Sequence, residues 1–303
     1  MIWAVIFVLV VFAMLVVLRL ITWRALRLAR RFFGKTAMIA RHARNRDDVS
    51  ALGSRFKTTF PQITGLLQSR LTPNRFTGLP LTLILIAAFY LAALLGGLVE
   101  ELFEADELVQ FDQWLNQQLA AIRIDGVIAL FSWITDLGGS AALAAVAFVT
   151  TGLLWVYGHG YMIAPLWLSL LGSQITTYTG KYVIARPRPE FVTEVVAATP
   201  SFPSGHATSA MAVYGFVAYI IASNLTDARP RFEVIYWAAV LIGLVGFSRL
   251  LLSVHYASDV AAGFLVGGFW LLLGFALAGY MRRRYQKGGN KEDTTLFCIK
   301  HKP

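Results

Sequence analysis

Residues 234–280 read VIYWAAVLIGLVGFSRLLLSVHYASDVAAGFLVGGFWLLLGFALAGY. The apolar runs 234–251 and 259–280 each approach the roughly 20 residues that a helix needs to cross a bilayer core. Only residues 252–258 join them. So short a connection turns the chain straight back, bringing the end of the first run and the start of the second to one membrane face. Ser248-Arg249, His255 and Asp259 fall at that junction. Arg249 interrupts a stretch, Val245 to Val254, otherwise broken only by serines. An ionisable residue at membrane depth is costly and marks a functional site by default.

Working outward, further spans are predicted at 80–99, 139–157, 162–180 and 207–223, and an N-terminal one over Ile2 to Leu18. The composition agrees: 57% of residues are hydrophobic, 15% are charged and mean hydropathy is +0.61, whereas soluble domains carry about a quarter charged residues. The predicted fold class is all-α, a polytopic helical membrane protein. Residues 1–77 hold a transmembrane helix and a basic cytoplasmic segment, 78–281 a six-helix core, and 282–303 a polar cytoplasmic tail expected to be poorly ordered.

Charge sets the orientation. Arg19 to Arg75 holds thirteen Lys or Arg against Asp47 and Asp48, while 100–137 holds eight acids against Arg123. Cation-rich segments stay cytoplasmic, so alternate threading puts 100–137 outside and the tail from Arg282-Arg283-Arg284 inside. The outer segment, with Phe111, Trp114, Leu115, Ile128, Phe131 and Ile134, is expected to form one or two amphipathic helices on the outer interface. Trp23 to Ile39 mixes Arg with Trp, Leu and Phe and is expected to rest on anionic lipid headgroups. The net charge of +10 therefore reflects topology and not nucleic-acid binding. One cysteine, Cys298, leaves no disulfide framework or zinc cluster.

The same threading brings three clusters to the outer face: Lys181, Arg186 and Arg188; Pro203-Ser204-Gly205-His206; and Ser248-Arg249 with His255 and Asp259. Cations at the outer face run against the topology rule. Gathered together they suit a multiply charged anion, above all phosphate, with Arg as a planar fork and Lys as a point charge. Ser204 and Gly205 precede a helix whose N-terminal N–H groups suit an anion. His255 and Asp259, four apart, share a helical face, so the carboxylate can orient the imidazole for attack. His206 is left as the general acid. His42, His159 and His301 fall in cytoplasmic segments, and the clusters bring cations, not the carboxylates a metal would need.

These clusters resemble the three-part signature of the type 2 phosphatidic acid phosphatase family. Lys181 is followed by six residues and then Arg188-Pro189; Pro203 to His206 is intact; and Ser248-Arg249, His255 and Asp259 keep the family's spacing. The resemblance covers about 80–280. It implies His255 as nucleophile, Asp259 as its partner and His206 as acid. It also implies that Lys181, Arg188, Ser204, Gly205, His206 and Arg249 bind phosphate, with no metal or cofactor. Arg186 stands outside the signature. The implied substrate is a membrane lipid phosphate or pyrophosphate, of phosphatidic acid, phosphatidylglycerol phosphate or undecaprenyl pyrophosphate type. It would be hydrolysed at the outer face of the cell membrane, or its phosphoryl group passed to another lipid. A headgroup transporter would not need two histidines and an aspartate, and the vanadium haloperoxidases of the superfamily are soluble.

Overall fold

The computed structural model describes residues 2–44, 76, 78–104, 106–189 and 199–299, with side chains over 9–32, 76, 78–104, 106–189 and 199–286. Among these residues there are nine α-helices and no strand. They are α1 (Ile2–Arg44), α2 (Leu79–Glu104), α3 (Asp106–Ala120), α4 (Asp125–Asp136), α5 (Ser140–Val156), α6 (Ile163–Ile184), α7 (Gly205–Asn224), α8 (Ala228–Leu251) and α9 (Ala257–Ile299), with a 3₁₀ turn at Gly160–Met162. The chain divides into two compact units, 1–82 and 83–303.

In the first unit, helix α1 does not stop at Leu18. It runs on through Arg19, Arg24, Arg27 and Arg30 to Arg44, because no Gly or Pro precedes Gly34 to interrupt it and Arg and Leu are good helix formers. Trp23 to Ile39, expected to rest on anionic headgroups, forms part of α1, while the basic stretch 45–75 lies outside the described residues. So do His301 and the side chains of His42 and Cys298. At the other terminus α9 continues to Ile299, although the tail was expected to be poorly ordered; no proline lies between Arg282 and Ile299 to break it.

Six helical stretches among the described residues are long and apolar enough to cross a membrane, including 79–104, 205–224, 228–251 and 257–286. The predicted span 162–180 forms α6 but is not among them. Its polar residues explain this: Ser169, Ser173, Thr177 and Lys181, four apart, form one buried stripe, while Leu171, Ile175, Tyr178 and Tyr182 face outward. The polarity is turned into the bundle.

Helix α7 packs against α5, α6, α8 and α9. Its buried face is rich in small residues (Ala207, Ala210, Ala212), which let neighbouring backbones approach closely. Helix α9 answers with Gly263 and Gly267. A Cβ at Gly263 would lie 2.7 Å from the Ser204 carbonyl oxygen, and one at Gly267 2.5 Å from that of Thr208. This small-xxx-small contact pins the first turn of α7 to α9.

The outer segment forms two helices, α3 and α4. In α3, Phe111 and Trp114 are exposed, and the fully buried residue is Asp112. Helix α4 buries Val127, Phe131 and Thr135, with the Phe131 ring edge-on to Phe247 at 5.5 Å.

Candidate active site

Two left-handed residues shape the chain around the site. Ala185 (φ 49°) ends α6, its N–H bonded to the Lys181 carbonyl at 3.0 Å. Ser253 (φ 55°) ends α8. Its N–H reaches the Leu250 carbonyl at 3.0 Å and the next N–H, of Val254, reaches Arg249 at 3.2 Å, the paired bonds of a Schellman cap. The His255 N–H shares the Arg249 carbonyl at 3.3 Å. Arg123, the one base of the outer segment, seals the same helix end by donating from Nε to the Leu251 carbonyl at 2.7 Å, where a cation also suits the helix dipole.

His255 thus lies in the turn before α9, while Asp259 occupies the first turn of α9. Both are buried. Asp259 Oδ2 accepts the Tyr256 N–H at 2.8 Å, half of a capping box. His255 Nδ1 stands 3.6 Å from Asp259 Oδ2, beyond hydrogen-bond range. Ser201 closes that gap: its hydroxyl donates to Asp259 Oδ2 and lies 3.3 Å from Nδ1. On the other side of the ring, Arg188 Nη1 is 3.3 Å from Nε2. A guanidinium only donates, so Nε2 carries the lone pair and the proton rests on Nδ1. Burial pushes the imidazole pKa down to about 4, and Arg249 and Arg188 add to that against the opposing pull of Asp259.

The three clusters converge as predicted. Lys181 Nζ donates to the Pro200 carbonyl at 2.6 Å. Arg188 donates to the carbonyls of Thr199 and Val254 at 2.8 and 2.7 Å. His206 lies within electrostatic reach of Arg249, His255, Arg188 and Lys181. The Ser204 N–H bonds the Asp259 carbonyl at 2.9 Å, tying the second cluster to the third. Ser204 occupies the N-cap position of α7, but its side chain makes no capping bond. Arg249 Nη1 donates to Thr135 Oγ1 at 2.7 Å. Three buried side-chain atoms among the described residues have no hydrogen-bond partner: Ser204 Oγ, Arg249 Nε and Thr177 Oγ1. All three belong to this end of the bundle.

Arg186, left unassigned from the sequence, has the most specific contacts of all. Nη1 donates to Asp259 Oδ1 and Ser258 Oγ, each at 2.7 Å, and Nη2 to Asp112 Oδ2 at 2.8 Å. Its guanidinium lies 4.3 Å from the Tyr256 ring centroid. Burial works to lower its pKa, but the carboxylates of Asp259 and Asp112 outweigh burial and raise it. Asp112 also accepts the Ser258 N–H at 3.0 Å and the Ser258 hydroxyl. Sequence reasoning missed Asp112, Ser201 and Thr135. Asp112 left a signal: it lies in register with Leu108, Leu115 and Leu119, a carboxylate within an apolar stripe.

The PAP2 superfamily matches over residues 162–283, which include every residue of the three clusters. Phosphatidylglycerophosphatase B of Bacillus subtilis is 30% identical over 170 residues, covering 56% of this chain and 82% of that protein. Lipid A 1-phosphatase of Rhizobium etli is 36% identical over 77 residues, 25% of this chain and 29% of that protein. The crystal structure of a transmembrane PAP2-type phosphatidylglycerolphosphate phosphatase from Bacillus subtilis superposes with a TM-score of 0.56 at 26% identity, covering 67% of this chain and 96% of that one. The chain is a multi-span membrane protein of the PAP2 lipid phosphatase family.

Proposed function

We propose that the protein hydrolyses a lipid phosphate or pyrophosphate through a phosphohistidine at His255, without a metal ion. The observation that carries this reading is the setting of His255. Its Nε2 lone pair faces Arg188, its Nδ1 proton faces Ser201 and Asp259, and Lys181, Arg249 and His206 lie close by. Nε2 attacks phosphorus, forming a P–N bond as the P–O bond to the lipid breaks. His206 gives its proton to the departing oxygen. Water then attacks phosphorus, His206 takes the water's proton, the P–N bond breaks and inorganic phosphate leaves. Asp259, through Ser201, stabilises the positive charge that builds on the ring.

Lys181, Arg188, Arg249 and the first turn of α7 bind the phosphoryl oxygens, which also supply partners for Ser204 Oγ and Arg249 Nε. Positioning and charge neutralisation are most of what phosphoryl transfer needs. Arg186 and Asp112 touch no substrate; they are positioning residues that hold the Asp259 carboxylate. The charge pattern supports an active site on the periplasmic or extracellular side of the cell membrane, and the Bacillus relative supports a glycerolipid phosphate as substrate.

Phosphate release by purified protein in detergent with EDTA, from phosphatidic acid, phosphatidylglycerol phosphate and undecaprenyl pyrophosphate, tests this directly. Wild type should turn over at least one of them. His255→Ala should lose turnover by about 10⁴-fold or more and trap no labelled phosphate, and Asp259→Asn should lose less. Near-normal turnover by His255→Ala would sink the phosphohistidine, and loss of wild-type activity in EDTA alone would sink the metal-free mechanism.

A further inference from the structure

The far end of the same three helices is built differently. Lys181, His206, Arg249 and Asp259 mark one end of the bundle. At the opposite end a cavity of 870 Å³ lies between α7, α8 and α9. That is near the top of the roughly 300–1,000 Å³ range of small-molecule sites. Its walls are apolar, with the Tyr219 and Phe275 ring centroids 4.3 Å apart on one side and Ile242 and Phe264 lining it further in. At Gly243, on the α8 wall, an added Cβ would meet nothing within 4 Å.

The polar residues of this cavity lie at its mouth. Arg231 opens α8, its Nε bonded to the Leu225 carbonyl at 2.5 Å. Arg282 lines the cavity from α9, and Ser223 lies in the last turn of α7. Asp227 and Glu233, the acids nearest in sequence, do not line the cavity. From Met211 to Ser223 the α7 wall rises about 18 Å at 1.5 Å per residue, a little more than half of a hydrocarbon core roughly 30 Å thick. The cavity is therefore one leaflet deep, apolar along its length and cationic at the headgroup level.

We infer that this cavity is a binding site for one anionic glycerophospholipid of the leaflet opposite the catalytic end. An acyl chain lies along Gly243 and Phe264, and the headgroup phosphate lies between Arg231 and Arg282. A neutral lipid would fill the apolar wall equally well, so the two arginines are what select charge. The site is separate from the phosphatase chemistry and stands whatever the reaction proves to be.

Native mass spectrometry of the detergent-purified protein, equilibrated with equal amounts of dioleoyl-phosphatidylglycerol and dioleoyl-phosphatidylcholine, reads the selection directly. Wild type should retain one phosphatidylglycerol in roughly tenfold preference. Arg231→Gln with Arg282→Gln should bring that preference to about one. Gly243→Phe, whose ring enters open space, should release the retained lipid of either kind. The two variants alter different parts of the cavity, so each tests the site alone. Equal retention of both lipids by wild type overturns the assignment. So does phosphatidylglycerol that stays bound in both variants, which would place it at the catalytic end or elsewhere.

Discussion

Helix α8 presents glycines toward both ends of the bundle, yet its approach to α9 differs between the two ends. Gly246 of α8 is pressed against α9: a Cβ there would lie 2.4 Å from Phe264 Cζ and 3.0 Å from Val260 Cγ1. Gly243, one turn along the same helix, faces open space. At the catalytic end the approach is enforced by a buried polar network, in which Arg186 bridges α3 and α9 and the Ser204 N–H is fixed to the Asp259 carbonyl. At the far end aromatic contacts such as Tyr219–Phe275 do the holding. Small residues permit contact; directional bonds decide where it happens. The consequence is a bundle in which α8 and α9 are closed at the catalytic end and parted at the far end, where α7 and α9 still touch through Gly215 and Leu271.

Removing the bridge should break this contrast most severely. Arg186→Gln leaves Asp112 and Asp259 buried without their cation, at a cost of about 3–5 kcal/mol. Turnover should fall by about 10²-fold as Asp259 shifts. Pairing it with Asp112→Asn should restore part of the stability, as thermal unfolding in detergent would show; strictly additive losses would mean that the two side chains do not act together. Next comes pH. The attacking form of His255 is neutral, and a pKa pushed down to about 4 keeps it neutral at all higher pH. Protonation and loss of this form should come only as pH falls through about 4. ¹⁵N-histidine NMR titration of the substrate-free protein reads this directly, and a midpoint near the ordinary 6.5 would contradict the burial described here. Third, Gly246→Leu should destabilise by about 1–3 kcal/mol through overpacking, whereas Gly243→Leu should leave the melting temperature nearly unchanged. Equal effects would mean that the helices do not part at the far end. Smallest, Ala185→Gly should raise stability by up to about 1 kcal/mol in thermal unfolding by relieving a left-handed alanine, and a lower melting temperature would contradict this.

The spans were legible because hydropathy is a local signal, and the three clusters because alternate threading fixes which helix ends share a face. Helix α6 was legible in position but not in character, since its Ser, Thr and Lys residues count against a span until their burial is known. The Arg186 bridge joins residues 74 and 73 positions apart, and nothing local in the sequence pairs them. On α3 the aromatics Phe111 and Trp114 face outward, and the inward position carries Asp112, whose pairing with Arg186 no local pattern announces. Ser201 left no signal, because a serine before a motif looks like any loop serine. The pairing of His255 with Asp259 was legible from their spacing, but not the Schellman cap that ends α8 and leaves His255 in the turn, 3.6 Å from the carboxylate.

That cap also acts as a ruler. Because the Val254 and His255 N–H groups both close on the Arg249 carbonyl, the number of residues between Arg249 and His255 is set by ring size and not by the reach of a loose loop. One residue more or fewer would open the ring, swing the imidazole away from Arg188 and Ser201, and leave α8 itself undisturbed. Length variation in homologous chains should therefore be tolerated in the α7–α8 connection at the far end and purged from this six-residue step.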